Sequence, residues 1–82
     1  MVRMTAQAAE DLEELTPPIH GRVLLILERL KRWPSVSGAK PLKGSLAGRY
    51  RMRTGDYRVQ FYLLGPDVIV EKIGHRDRFY ED

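Results

Sequence analysis

The chain has 82 residues, 43% of them apolar, and it contains no cysteine. A chain this short buries only about 60–65% of its unfolded surface, which excludes two domains and a deep cofactor cavity, so we expect a single domain over residues 1–82. Without cysteine there is no disulfide framework or thiolate metal site, which favours a reducing compartment. No apolar run approaches the roughly 20 residues of a membrane span, and the acidic start is unlike a signal peptide. These features predict a cytoplasmic protein that does not contact membranes.

The basic residues are concentrated in the second half of the chain. Residues 1–30 carry three bases and five acids, a balance of −2, whereas residues 31–82 carry eleven bases and six acids, a balance of +5. Between Lys31 and Arg58 there are eight bases and one acid, Asp56. Such clustering favours a polyanion, a phosphate or an acidic partner. The alternative is an ordinary solvated surface, where Lys and Arg are usually exposed.

The first half of the chain predicts a short strand followed by two helices. Residues 2–4 can form the strand, and Thr5 can cap a helix over residues 6–15. Thr16 is a second capping residue, with Pro17 at the first helical position. The apolar residues of the second helix recur at helical spacing: Ile19, Val23, Ile26, Leu27 and Leu30. Because the break is short, the two helices should form an antiparallel hairpin, followed by a loop rich in Ser, Pro and Gly.

From residue 48 onward the hydrophobic period changes from helical to two. In the strand over residues 49–53, Tyr50 and Met52 alternate with three arginines. Turns at 54–56 and 65–67 would lead into strands at 57–64 and 68–73. The predicted class is therefore α+β, a small β-α-α-β-β-β domain whose antiparallel sheet packs on the helical hairpin.

Most catalytic chemistries lack their residues in this sequence. The two histidines, His20 and His75, are isolated, and there is no HExxH motif, no pair of acids at metal spacing and no Gly-rich phosphate loop. The serines do not lie in a nucleophile elbow. We therefore expect neither a metal nor a cofactor.

After these exclusions, the arginines are the residues that point to a function. The side chains of Arg49, Arg51, Arg53 and Arg58 lie on two strands joined by a tight turn, so they can converge on one groove. Guanidinium groups are suited to phosphate, and Arg76 and Tyr80 can reach the same groove if the last strand pairs beside the fourth. Each residue also has a structural interpretation: the arginines as inert surface groups, His75 as a turn residue, and Tyr80 as a core aromatic.

Four segments together resemble the RelE-type toxins of bacterial toxin-antitoxin modules, in the RelE/ParE superfamily. They are PLKG at 41–44, GRYRMR at 48–53, GDYRV at 55–59 and IGHRDRFY at 73–80. The resemblance covers nearly the whole chain and implies the RelE fold. It also implies a toxin that acts as a ribosome-dependent endoribonuclease, cutting mRNA in the decoding site, and that is neutralised by a cognate antitoxin.

The resemblance also assigns roles to residues. Arg51 and Arg53 match basic strand positions that mRNA-cleaving members keep, and Arg58, Arg76 and Tyr80 match the catalytic set. We add Lys43 and Arg49 as candidate RNA-binding residues. In this interpretation Arg58 stabilises charge on the phosphorane, Arg76 supports the phosphate or the leaving group, and Tyr80 orients a base. The reaction needs a proton acceptor, and a guanidinium, with a pKa above about 12, is a poor one. Some relatives have lysines where this chain has Arg51 and Arg53, so His75 is the alternative acceptor.

Two other functions remain open on the same fold. One is inhibition of DNA gyrase, the activity of the ParE branch. The other is a catalytically weak protein that acts only in regulation, binding its antitoxin and, as a complex, operator DNA.

Overall fold

A computed structural model describes residues 1–79. Helices α1 and α2 cover Ala6–Glu14 and Ile19–Leu30, and the five strands β1 to β5 cover Val2–Met4, Lys40–Pro41, Arg49–Thr54, Tyr57–Leu64 and Asp67–His75. Short 3-10 turns follow β2 at Gly44–Leu46 and β5 at Arg76–Arg78. The predicted α+β class is confirmed.

The strands form one sheet in the order β1-β5-β4-β3-β2. The meander β3-β4-β5 is antiparallel, as predicted from its period and turns. Two features go beyond the prediction: β1 pairs parallel with β5, and the two-residue β2 in the predicted loop pairs antiparallel with β3. The sheet is therefore mixed.

The predicted start of α1 is confirmed, whereas the predicted start of α2 is wrong. The Thr5 hydroxyl accepts a hydrogen bond from the Ala8 N–H at 3.1 Å, as expected of a cap. The prediction that Thr16 caps α2 is wrong, because α2 begins at Ile19 with Pro18 as its capping position and without a side-chain cap. A residue that precedes proline disfavours helical backbone, and both Thr16 and Pro17 precede one, so the helix starts after the second proline.

Both hairpin turns are one residue shorter than predicted. Thr54 pairs with Tyr57, and Leu64 pairs with Asp67, so only two residues connect each pair of strands. The first connecting residue is glycine in both, Gly55 at φ 59° and Gly65 at φ 58°. Glycine at this position allows the type II′ turn, whose twist matches that of the flanking strands.

The helical hairpin covers one face of the sheet, and the hydrophobic core lies between them. Buried residues from the helices and strands form it: Ala8, Val23, Ile26, Leu30, Met52, Val59, Phe61, Val68, Val70 and Ile73. Trp33, just after α2, packs edge-on against Phe61 with ring centroids 5.3 Å apart. Among residues 1–79 no helix is long and apolar enough to cross a membrane.

Candidate nucleic-acid interface

The side of the sheet opposite the helices carries most of the predicted site. Alternation along each strand and the cross-strand register assign residues to this side. We call it the basic face, and on β2 to β5 it comprises Lys40, Arg49, Arg51, Arg53, Arg58, Gln60, Tyr62, Lys72 and Gly74, with Leu64, Asp67 and Ile69 on the same side near the β4-β5 turn. The predicted convergence of four arginines on one surface is thus what the register produces.

Arg58 is the most deeply buried cation of the basic face. Its side chain donates from Nη1 to the carbonyl oxygens of Gly55 at 3.1 Å and Tyr57 at 3.4 Å, and the residue is only 6% exposed. Its partner on β5 is Gly74, which has no side chain. The guanidinium is therefore held against the β3-β4 turn, opposite a glycine along which the Arg78 side chain extends.

Arg51 and Arg53 flank this centre on β3. Arg51 is 9% exposed and pairs with Gln60, which is 8% exposed, so two further polar residues are buried on this face. Arg53 is exposed and lies directly opposite Arg58 in the register. Two guanidinium groups at opposed positions concentrate positive charge at the β3-β4 end of the basic face.

Arg49 is held by an acid that was not predicted. Its Nε donates to Glu71 Oε1 at 2.7 Å, and Gln60 Nε2 donates to the same oxygen at 2.9 Å. Gln60 pairs with Lys72 and Phe61 with Val70, so Glu71 is the extra residue of a β-bulge. A bulge redirects a side chain, and here it brings a carboxylate onto the basic face.

The structure separates Arg76 from His75. The Arg76 N–H donates to the Asp56 carbonyl oxygen at 2.7 Å, next to the carbonyl that anchors Arg58, and its side chain is 59% exposed. Arg76 and Arg58 thus meet at the same turn. His75 pairs with Tyr57 on the helix side of the sheet, and their rings pack edge-on at 5.4 Å.

The imidazole of His75 is engaged locally. Its Nδ1 accepts a hydrogen bond from the Asp77 N–H at 3.2 Å and lies 3.3 Å from Asp77 Oδ2. Since Tyr57 and Arg58 alternate along β4, His75 is on the opposite face from Arg58. The structure therefore does not bring His75 together with the arginines of the basic face.

Two predicted residues lie elsewhere. Lys43 is exposed outside the sheet, immediately before the 3-10 turn at Gly44–Leu46. Tyr80 is outside the described residues.

Three cations on or beside the basic face were missed by sequence reasoning: Lys40, Lys72 and Arg78. Lys40 pairs with Arg51, although the loop in which it lies gave no strand period. Arg78 extends along Gly74, where its Cδ and Nη1 would be 3.5 Å from a Cβ on that glycine. The glycine of the IGHRDR segment was the available signal, because a strand residue without a side chain marks a close approach. In the described part of the chain, no group of three His, Asp or Glu side chains is placed to hold a metal ion.

Comparisons with known proteins identify the family. The sequence model of the ParE toxin of type II toxin-antitoxin systems matches residues 2–80. The toxin-antitoxin complex RelBE2 of Mycobacterium tuberculosis contains a chain with 33% identity and a TM-score of 0.79, and the match covers 93% of this chain and 96% of that one. A RelB-RelE complex of Methanococcus jannaschii matches at 26% identity and a TM-score of 0.75, over 90% and 89% of the two chains.

A third structure shares the fold. The YoeB/ParE toxin of Agrobacterium tumefaciens has 22% identity and a TM-score of 0.78, with 90% of this chain and 95% of that one covered. No curated protein matches the sequence. The match to nearly the whole chain and the RelE structures agree with the sequence resemblance, and this chain belongs to the RelE/ParE superfamily of type II toxin-antitoxin toxins.

Proposed function

We propose that this toxin is a metal-independent endoribonuclease that cleaves mRNA on the ribosome, with the basic face as its RNA-binding surface. The observation that carries the proposal is the buried guanidinium of Arg58, fixed by the Gly55 and Tyr57 carbonyls and lying opposite Gly74, along which the Arg78 side chain extends. Burying a charge costs free energy, and replacing it by apolar groups is often stabilising. An oriented buried guanidinium is therefore better explained by phosphate chemistry than by stability.

The reaction has three requirements. A ribose 2′-hydroxyl attacks its own 3′-phosphate, so its proton must be accepted, charge on the phosphorane must be stabilised, and the leaving 5′-oxygen must be protonated. Arg58 is preorganised for the second requirement. Arg76, whose backbone N–H bonds the Asp56 carbonyl oxygen at the same turn, is our candidate for supporting the phosphate or the leaving group.

Other residues would bind the RNA chain. Arg51, Arg53 and Lys40 extend the cationic surface from Arg58 to the β2 edge, along which a phosphate backbone can lie. We retain Lys43 and Tyr80 as proposed contacts to RNA. His75 is the least favoured of the proposed catalytic residues, since its ring lies on the helix side.

We further propose a cognate antitoxin as partner, since the relatives from M. tuberculosis and M. jannaschii were solved as toxin-antitoxin complexes. A cationic surface beside an exposed sheet edge is suited to an acidic, extended or helical segment of such a partner. Ribosome and mRNA are the proposed targets, and operator DNA would be bound by the toxin-antitoxin complex.

The test is induction in a bacterial host followed by primer-extension mapping of new mRNA 5′ ends. We expect cuts within translated codons that fall at least about 100-fold for Arg58→Ala, the usual scale for losing one charge-stabilising group. A smaller loss is expected for Arg76→Ala. Arg22→Ala is the matched control, because it removes the same charge from the exposed surface of α2 in the helical layer. Cleavage that survives in Arg58→Ala would refute the proposed mechanism.

Inhibition of DNA gyrase is the second candidate, favoured by the match to the ParE toxin model. Growth arrest without new mRNA ends, together with loss of supercoiling by purified gyrase, would select it. Absence of both effects, with retained binding to the antitoxin, would indicate a purely regulatory protein.

A further inference from the structure

A cavity of about 350 Å³ opens where α1 meets the β5 side of the basic face. The residues that line it are all polar or charged and come from α1, β4, β5 and the final 3-10 turn: Gln7, Asp11, Gln60, Glu71, Lys72 and Arg78. Two carboxylates therefore line a cavity at the margin of a surface that is otherwise dominated by cations.

Both carboxylates are held in fixed orientations. Asp11 is 3% exposed, with Oδ1 accepting from Gln7 Nε2 at 2.8 Å and Oδ2 from the Ile73 N–H at 3.0 Å. Glu71 is held by Arg49 and Gln60. Each carboxylate oxygen can accept about two hydrogen bonds. When the hydrogen bonds within residues 1–79 are counted, Asp11 and Glu71 Oε2 can still accept a hydrogen bond from an N–H group of a ligand.

The rim of the cavity has the opposite charge. Lys72 Nζ donates to the Arg78 carbonyl oxygen and lies 4.4 Å from the centre of the Phe79 ring. The Arg78 side chain runs along Gly74, the position opposite Arg58. A ligand that fits must therefore present N–H donors inward and negative charge toward the basic face, and a nucleotide does both.

We infer that this cavity is a nucleobase subsite that accepts bases with an exocyclic amino group and disfavours uracil. Its volume is at the lower end of small-ligand cavities, about 300–1,000 Å³, which suits a single base. Adenine, cytosine and guanine each carry an exocyclic amino group with two N–H donors. Uracil has none, and its single N3–H donor is flanked by two carbonyl oxygens, which a carboxylate would repel. The inference deepens the proposed RNA cleavage by adding a preference for the base beside the scissile phosphate.

Binding is tested directly on the full chain by NMR titration with nucleoside monophosphates. Gln7 and Gln60 are the only side-chain carboxamides in the sequence, which has two Gln and no Asn, and both line the cavity. Their side-chain NH₂ signals thus report on this site alone. We expect AMP, CMP and GMP to shift them, with UMP and IMP binding about 10-fold more weakly, the scale of one good base contact.

A pair of matched variants tests the carboxylate. Glu71→Gln keeps the shape but removes the charged acceptor, so discrimination against UMP should disappear. Glu13→Gln makes the same change at an exposed position of α1 that does not line the cavity, so discrimination should persist. Equal binding of UMP or IMP, no shift with any nucleotide, or unchanged discrimination in a folded Glu71→Gln chain would each overturn the inference.

The outcome is independent of the proposed catalysis. Selective nucleotide binding by a chain that cuts no mRNA would leave the subsite standing and refute the nuclease. Cleavage of mRNA by a chain whose glutamine signals do not respond to nucleotides would support the nuclease and refute the subsite.

Discussion

The two faces of the sheet are both buried at their centres, but with opposite chemistry. On the helix side, Val59, Phe61 and Ile73 are 0% exposed and contact other apolar residues. On the basic face, Arg58, Arg51 and Gln60 are between 6% and 9% exposed. Strand β4 supplies members of both sets, since adjacent residues point to opposite faces.

Equal burial has opposite energetic consequences on the two faces. Removing an apolar side chain from water stabilises the fold by about 25 cal/mol per Å². Removing a guanidinium from water costs several kcal/mol before its contacts offset that cost. We therefore assign stability to the helix side and function to the basic face, and each prediction below tests that division.

The largest effect on stability is expected from Phe61→Ala on the helix side. Phe61 is fully buried, and its ring packs against those of Trp33 and Tyr50 at 5.3 and 5.4 Å. Truncation should lower the free energy of unfolding by about 3–5 kcal/mol, measured by urea denaturation. Leu64→Ala, at a 63% exposed position of the same strand, is the control and should change it by less than about 0.5 kcal/mol. A small loss in Phe61→Ala would mean that the helix side does not dominate stability.

An intermediate effect is expected from Asp11→Ala at the boundary between the faces. Asp11 ties α1 to β5 through the Ile73 N–H, which the substitution leaves buried without this partner. The free energy of unfolding should fall by about 1–3 kcal/mol. Hydrogen exchange of the Ile73 amide should accelerate, whereas Glu14→Ala at the exposed end of α1 should leave both measurements unchanged. Unchanged exchange at Ile73 would show that Asp11 does not hold this edge.

The division between the faces was readable in the sequence wherever a period was present. Alternation placed Tyr50 and Met52 on one side and the arginines of β3 on the other, and helical spacing identified Val23, Ile26 and Leu30 as core. These patterns are local, so residue order alone determines them.

Features of the site that depend on contacts between distant residues could not be predicted from the sequence. The bulge that turns Glu71 onto the basic face depends on register with β4, and the pairing of Lys40 depends on where a loop meets β3. No local pattern distinguishes Asp11 from the other three acids of α1, because the N–H that it binds belongs to Ile73, 62 residues away. The placement of His75 with Tyr57 also follows from register, which shows why a motif of neighbouring residues need not share a face.

The smallest effect on stability is expected from Arg58→Met, although the residue is almost as buried as Phe61. Methionine keeps much of the apolar stem and removes the charge. The two carbonyls that lose this donor belong to Gly55, an exposed turn residue, and to the half-buried Tyr57. The free energy of unfolding should stay within about 1 kcal/mol of wild type or rise. In the same preparation, mRNA cleavage should fall at least about 100-fold.

This pairing of readouts is the sharpest test of the division, because stability and activity should move independently at one buried position. Arg58→Lys helps to locate the cause: it retains the charge but loses the planar fork that bonds Gly55 and Tyr57 together. Partial cleavage by the lysine variant would show that charge contributes apart from geometry. A loss of more than about 3 kcal/mol in Arg58→Met would instead place this arginine with Phe61, since losses of that size follow from breaking a structural buried network.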